Sequence, residues 1–119
     1  MLENIFYIIK LNGDTKMKVS ANYTKTTSWN TKELAAGSKI EGEYIKKETF
    51  DGNYGAVTKY VIKSNGEFFG IFGSASLDRQ FANIPEGAYV WVEFKGVETT
   101  KAGRTVKVYV VEYDPDYQA

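Results

Sequence analysis

An Asn-Gly pair between two alternating segments is the feature that most constrains how this chain can fold. Residues 56–63, "AVTKYVIK", alternate between two faces, and the segment "EFFGIFG", residues 67–73, follows the pair Asn65-Gly66. Asn-Gly favours the two-residue turn whose twist matches that of antiparallel strands. The sequence therefore predicts a β-hairpin near the middle of the chain.

Three more segments alternate in the same way and predict further strands. Residues 39–48, "KIEGEYIKKE", precede the hairpin, and Gly42 within them suits a sharp bend. Residues 89–97 and 105–113 flank the polar loop "ETTKAGR" and predict a closing hairpin. The apolar positions expected to face the core are Ile40, Tyr44, Tyr60, Ile62, Val90, Val92, Phe94, Val106, Val108 and Val110.

The period changes between the two hairpins. In "SASLDRQFANIP", residues 74–85, the apolar residues Leu77, Phe81 and Ile84 recur at helical spacing, and a serine at the start can cap a helix. Pro85 is suited to end it. One short helix is therefore predicted.

Three strands, one helix and two strands, in that order, are the elements of the OB-fold, a small Greek-key barrel. We therefore predict an all-β protein, a five-stranded OB-fold barrel with one short helix between strands three and four. The barrel would span residues 39–113, between a strand-like N-terminal extension, residues 1–38, and a short acidic tail, residues 114–119. The extension is expected either to pack on or lengthen the barrel or to pair with a second copy.

Composition excludes several kinds of chemistry. The chain has neither cysteine nor histidine, which excludes thiol catalysis, disulfides and the usual structural zinc sites. Glu41 and Glu43 share a strand face, but such pairs are most often solvated charges. We therefore expect no enzyme and no metal or cofactor. The apolar run "IFYII", residues 5–9, is too short for a bilayer span and lacks the basic flank of a signal peptide, so a soluble intracellular protein is expected.

The charges are balanced overall but unevenly distributed. The sequence holds 15 basic and 15 acidic side chains, for a net charge of zero. Three of the acids lie in residues 112–119, so residues 1–111 hold all 15 cations and 12 anions. A mildly basic body with an acidic tail is compatible with a polyanionic partner without requiring one.

Basic and aromatic residues occur where an OB-fold binds its ligands, on strands two and three and in the two flanking loops. In a mobile glycine-rich loop, Phe50 and Tyr54 would either stack on unpaired bases or fold back over the barrel. Aromatic platforms and cations are what a single strand of nucleic acid requires. The predicted nucleic-acid-binding residues are Lys46, Lys47, Phe50, Tyr54, Lys59, Val61, Lys63, Phe69, Trp91, Lys101 and Arg104.

About two thirds of the chain resembles the OB-fold single-stranded DNA-binding proteins of bacteriophages, in particular the small type of lactococcal phages. The matching stretches are "GSKIEGEYIKKETFDGNYGAVTKYVI", "GSASLDRQF" and "GAYVWVEFKGVETTKAGRTVKVYVV". The resemblance implies sequence-tolerant binding of single-stranded DNA, in support of phage DNA replication and recombination, in the cytoplasm of the infected bacterial host. It also implies a homo-oligomer and, as further partners, phage replication or recombination proteins. Only "EYDPDYQA" stands where bacterial relatives carry a long acidic tail, which argues against recruitment through a tail.

The sequence leaves alternatives open. An OB-fold module for protein interaction or virion assembly, without nucleic-acid binding, fits the neutral net charge equally well. Stacking and phosphate contacts also discriminate poorly between DNA and RNA. Unpaired strand edges in the extension favour a homodimer or a larger even-numbered assembly.

Overall fold

The computed structural model describes residues 23–52 and 55–117, which form a mixed β-sheet and one short helix. The elements are β1 (Thr27–Ser28), β2 (Lys39–Gly52), β3 (Gly55–Ser64), β4 (Glu67–Phe72), α1 (Ala75–Phe81), β5 (Tyr89–Thr99) and β6 (Thr105–Asp114). The strand order is β1-β4-β3-β2-β5-β6, and every neighbouring pair is antiparallel except β1 and β4. The predicted all-β class and the helix after the third long strand are confirmed.

The turn residues form the predicted central hairpin. Asn65 and Gly66 both have positive φ, 52° and 82°, as the two central residues of a type I′ turn require. The preceding hairpin is longer than predicted, because β2 and β3 pair as far as Gly52 and Gly55. Phe50 therefore lies within a strand, opposite Val57, and its prediction as a loop residue is wrong. Its predicted companion Tyr54 lies outside the described residues.

Strand β2 changes partner along its length, which is why it needs a glycine. Its first residues pair with β5 and its later residues pair with β3. At Gly42, where the two pairings meet, a methyl group would overlap the backbone carbonyl of Lys63. The bend that the sequence predicted at Gly42 is therefore a close approach of two backbones, which only glycine permits.

The core lies on one face of the sheet, where α1 covers it. On β5 the predicted inward residues Val90, Val92 and Phe94 are buried. On β6 the predicted parity is wrong, because pairing with β5 turns Tyr109 and Val111 towards the core. The buried core residues are Ile40, Tyr44, Tyr60, Ile62, Ile71, Leu77, Phe81, Ile84, Ala88, Val90, Val92, Phe94 and Tyr109.

Helix α1 begins and packs as its sequence indicates. The hydroxyl of Ser74 accepts a hydrogen bond from the backbone N–H of Leu77, which caps the first turn. The Phe81 ring stacks on the Tyr60 ring, with 4.1 Å between ring centroids. Burial and a hydrogen bond donated to Asp78 together raise the pKa of the Tyr60 hydroxyl.

The sheet is not closed into a barrel, so the predicted closed barrel is not observed. Two amide side chains bind the backbone at the sites where closure would occur. Asn30 donates to the carbonyl of Phe72 and accepts from its N–H, both at 2.9 Å. Gln80, on α1, donates to the carbonyl of Tyr109 and accepts from the N–H of Val111, both at 2.8 Å. Each amide therefore takes the place of a peptide group from a neighbouring strand.

Replacing Gln80 tests whether this contact stabilises the sheet. In Gln80→Ala the carbonyl of Tyr109 and the N–H of Val111 lose a partner, and leaving half-buried polar groups unpaired costs about 1–3 kcal/mol. Urea unfolding should show that loss. Arg79→Ala, on the neighbouring exposed helix position, should change the free energy of unfolding by no more than about 0.5 kcal/mol. Equal stabilities for the two variants would contradict the assigned role.

Candidate nucleic-acid interface

The surface predicted to bind nucleic acid is the face of β2, β3 and β4 that points away from the core, here called the outer face. Directly opposed residues of antiparallel strands lie on the same face, so the observed register defines its members. They are Lys46, Glu48, Phe50, Val57, Lys59, Val61, Lys63, Phe68, Gly70 and Phe72.

Lys59 lies at the centre of the outer face but is fully buried. Its ammonium donates to the carbonyl of Thr24 at 2.9 Å and to the hydroxyl of Thr26 at 3.2 Å. The same group forms an ion pair with Glu48 at 3.2 Å and lies 3.9 Å from the centre of the Tyr23 ring. Two of the three N–H groups of the ammonium therefore donate to residues 24 and 26, and the nearby Glu48 carboxylate balances its charge. The prediction that Lys59 contacts phosphate is therefore wrong.

Residues 23–28, here called the N-terminal strap, cross the outer face and cause this burial. The backbone N–H of Thr24 donates to Glu48 at 2.9 Å, and β1 pairs with β4. Gly70 makes room for the strap, since a methyl group there would lie 2.7 Å from the Thr26 hydroxyl. Val61, opposite Gly70, is fully buried as well, so its predicted contact with nucleic acid is also wrong.

Glu48 is the anion that holds the strap and the sheet together. Burial raises the pKa of its carboxyl group, but the Lys46 ammonium, the Thr24 N–H and the Lys59 ammonium outweigh burial and leave the pKa below its usual value. Because folding lowers the pKa of Glu48, its carboxylate stabilises the fold at pH values above the usual pKa of a glutamate side chain. This contribution is lost as the pH falls through the lowered pKa.

Two paired outer-face residues, Lys63 on β3 and Phe68 on β4, are exposed beside the Asn65-Gly66 turn. Phe68 is 38% exposed, and the ammonium of Lys63 lies 5.8 Å from the centre of its ring. Phe69, the ring of β4 that the sequence prediction named, pairs with Ile62 and is half-buried against the core, so the structure places it away from the outer face. A two-residue turn at Asn65-Gly66 sets Lys63 opposite Phe68. The Asn-Gly pair in the sequence is therefore the signal that could have placed Phe68, rather than Phe69, on the same face as Lys63.

Phe50 lies at the opposite end of the outer face. Its ring is 37% exposed and packs edge-on against Tyr23, with 6.4 Å between ring centroids. Val57, its partner, and Lys63 lie six positions apart on β3, a span of about 20 Å at about 3.3 Å per residue. Phe50 and Phe68 are therefore exposed rings on either side of the N-terminal strap.

The two adjacent lysines of β2 point to opposite faces of the sheet. Lys46 lies opposite Val61 on the outer face and forms an ion pair with Glu48 at 3.0 Å. Lys47 lies opposite Tyr60 and lines a cavity of about 440 Å³ on the other side. The structure therefore brings Lys46, but not Lys47, to the surface that carries Phe50.

Lys101 and Arg104 lie at the tip of the β5–β6 hairpin, and both are exposed. The N–H of Thr100 donates to the carbonyl of Arg104 at 2.8 Å, which fixes the turn. In the described part of the chain, no hydrogen bond or ion pair joins this tip to the outer face. The tip is thus a second cationic surface on a separate hairpin.

Trp91 lies at the base of the same hairpin, in acidic surroundings. It is 40% exposed and lines a cavity of about 500 Å³ together with Trp29 and Phe69. The charged residues that line this cavity are Lys39, Glu41, Glu67, Glu93 and Glu112. Their carboxylates repel phosphate, so the predicted contact of Trp91 with nucleic acid has no support from this geometry.

Comparison of the chain with protein families, curated proteins and solved structures gives no match. Within residues 23–52 and 55–117, no group of three or more acidic side chains is placed to hold a metal ion, and no helix is long and apolar enough to span a bilayer. The function is therefore inferred from the chemistry of the exposed surfaces.

A pair of lysine substitutions separates a structural cation from a binding cation. Lys59→Met keeps the apolar stem but removes the donor to the Thr24 carbonyl and one of the two cations beside Glu48, which should cost about 1–3 kcal/mol in urea unfolding. Lys63→Met removes an exposed ammonium and should leave stability within about 0.5 kcal/mol. If Lys59→Met unfolds at the same urea concentration as the unmodified chain, the buried ion pair does not hold the strap.

Proposed function

We propose that this chain binds single-stranded DNA on the outer face, with Phe68 and Phe50 stacking on bases and Lys63 contacting phosphate. The observation that carries the proposal is the exposed Phe68 ring with the Lys63 ammonium beside it. Base stacking needs a flat exposed ring, and backbone tracking needs cations nearby. The outer face offers both, and the acidic cavity around Trp91 does not.

The topology supports a binding surface at this place. The order of β2 to β6, with α1 between β4 and β5, is that of an OB-fold. We propose that the sheet is an OB-fold barrel opened between β4 and β6, where Asn30 and Gln80 bind the backbone. In that fold the face equivalent to β3 and β4 binds oligonucleotides.

The N-terminal strap becomes part of the proposed surface. Its exposed Lys25 lies in the segment that crosses the outer face between the two exposed rings. The span of about 20 Å between those rings suits several nucleotides, within the site sizes of about 4–16 nucleotides known for OB-folds. As the phage resemblance implies, such binding would support replication and recombination of phage DNA.

Fluorescence anisotropy with a labelled single strand tests the proposal. Phe68→Ala should weaken binding roughly fivefold to a hundredfold, equivalent to about 1–3 kcal/mol for one stacked base. Tyr117→Ala, an equally exposed ring in the acidic tail, is the matched control and should bind normally. Unlabelled duplex that competes as well as single strand of equal length would contradict stacking. If unlabelled single-stranded RNA competes as well as single-stranded DNA, the ligand class is single-stranded nucleic acid in general.

The salt dependence of binding counts the phosphate contacts. If Lys25, Lys63, Lys101 and Arg104 each meet one phosphate, log K should fall with log salt at a slope of about −3, at about −0.7 per contact on single strands. Lys63→Met should make the slope shallower by about 0.7. An unchanged slope in Lys63→Met would place the phosphates on another surface.

One observation favours the alternative function, a protein-interaction module without nucleic-acid binding. The cavity around Trp91 combines exposed aromatic surface with four carboxylates, and apolar surface rimmed by polar groups marks interaction sites. Absence of any single-strand binding by the unmodified chain, measured as above, would favour this second function.

A further inference from the structure

We propose that the solvent side of the β5–β6 hairpin binds the same surface of a second copy. In this arrangement the two hairpins lie antiparallel, and the cationic tip of each occupies the acidic cavity around Trp91 in the other. The inference is independent of DNA binding. It follows from an exposed apolar row on β6 with opposite charges at its two ends.

The apolar row consists of the three valines that were predicted to face the core. Val106 and Val110 are 38% and 40% exposed, and Val108 between them is half-buried. Pairing with β5 places all three on the face opposite to Tyr109. A row of β-branched residues on the solvent side of an edge strand is apolar surface that a second protein surface can cover.

The two ends of this row carry opposite charge. Lys101 and Arg104 are exposed at the tip. At the base, four carboxylates line the cavity against one ammonium among the described residues. Glu93 has Lys95 at 3.6 Å, whereas neither Glu67 nor Glu112 has an ion-pair partner in the described part of the chain. The uncompensated carboxylates are complementary to the cationic tip.

A tip cannot reach the cavity of its own chain. Arg104 immediately precedes β6 and Glu112 lies near the end of that strand, eight residues further on, which corresponds to about 26 Å of extended backbone. The hydrogen bonds to β5 keep that strand extended, so the tip and the cavity stay apart. Only the tip of another molecule can therefore bring its cations to the carboxylates.

A two-fold axis near Val108 pairs both charged ends of the apolar row with ends of opposite charge on the second copy. It sets Val106 of one copy against Val110 of the other and each tip against the opposite cavity. Because the interface uses the same surface on both partners, it leaves no such surface free to bind a third copy. The product is therefore a dimer rather than a filament.

The same contact would compete with DNA, a consequence that rests on the proposed function. Lys101 and Arg104 cannot bind phosphate and carboxylate together, so saturating single-stranded DNA should weaken the dimer. The dimer itself is tested without DNA, so failure of the interface and failure of DNA binding give different results.

Charge reversal at the two ends provides a decisive test by sedimentation velocity. The unmodified chain should approach twice its mass of 13.4 kDa between about 5 and about 200 µM, where weak dimers with micromolar dissociation constants form. The base-reversed variant, Glu67→Lys with Glu112→Lys, should remain monomeric by itself. The tip-reversed variant, Lys101→Glu with Arg104→Glu, should do the same.

An equimolar mixture of the two variants should restore the dimer, because both contacts are then attractive. A monomeric unmodified chain over the whole range, a mixture that stays monomeric, or a dimer that survives in both variants would overturn the proposal. The last outcome would place the interface on other residues, including residues 1–22.

Two further readouts test the position of the interface. Both tryptophans of the chain, Trp29 and Trp91, line the cavity, so their emission should shift as the dimer forms and stay constant in the tip-reversed variant. Val110→Ser should weaken the dimer at least tenfold. Val97→Ser, more exposed at 61% but on the opposite face of the hairpin, is the matched control and should not. Equal effects of the two substitutions would overturn the assigned face.

Discussion

The hydrogen-bonding capacity of backbone groups at an open strand edge is the constraint on which this structure depends. A β-sheet that does not close exposes N–H and C=O groups at its ends, and these must be paired or left in water. Here two primary amides supply the missing partners, Asn30 at β4 and Gln80 at β6. These bonds connect Asn30 to the end of β4 and α1 to β6.

The second organising feature is one buried ammonium. Burying the Lys59 ammonium without partners would be costly, and the N-terminal strap supplies partners through Thr24, Thr26 and Tyr23. The strap therefore divides the outer face into two exposed parts. One part holds Phe50 and the other holds Phe68 with Lys63. Lys59, which the sequence predicted as a phosphate contact, instead holds the strap in place. It thereby shapes the surface on which such contacts can form.

Some of the remaining exposed charges are segregated by sign. Lys25 lies in the strap and Lys63 on the outer face, and Lys101 and Arg104 lie at the tip of the β5–β6 hairpin, while four carboxylates line the tryptophan cavity at its base. Surfaces of opposite sign on one molecule favour both a polyanion and another copy of the same chain. Under the two proposals above, single-stranded DNA and a second copy compete for Lys101 and Arg104.

Local patterns in the sequence determined the hairpin at Asn65-Gly66, the short helix and the all-β class, because turn geometry and side-chain periodicity act over a few residues. The same turn also determined that Phe68 shares a face with Lys63. Only the tertiary structure decided that Lys59 is buried, that β6 turns Tyr109 and Val111 inward rather than Val106, Val108 and Val110, and that the described sheet stays open. These outcomes depend on contacts between residues about 15 to 80 positions apart, for which alternation along a single strand carries no information.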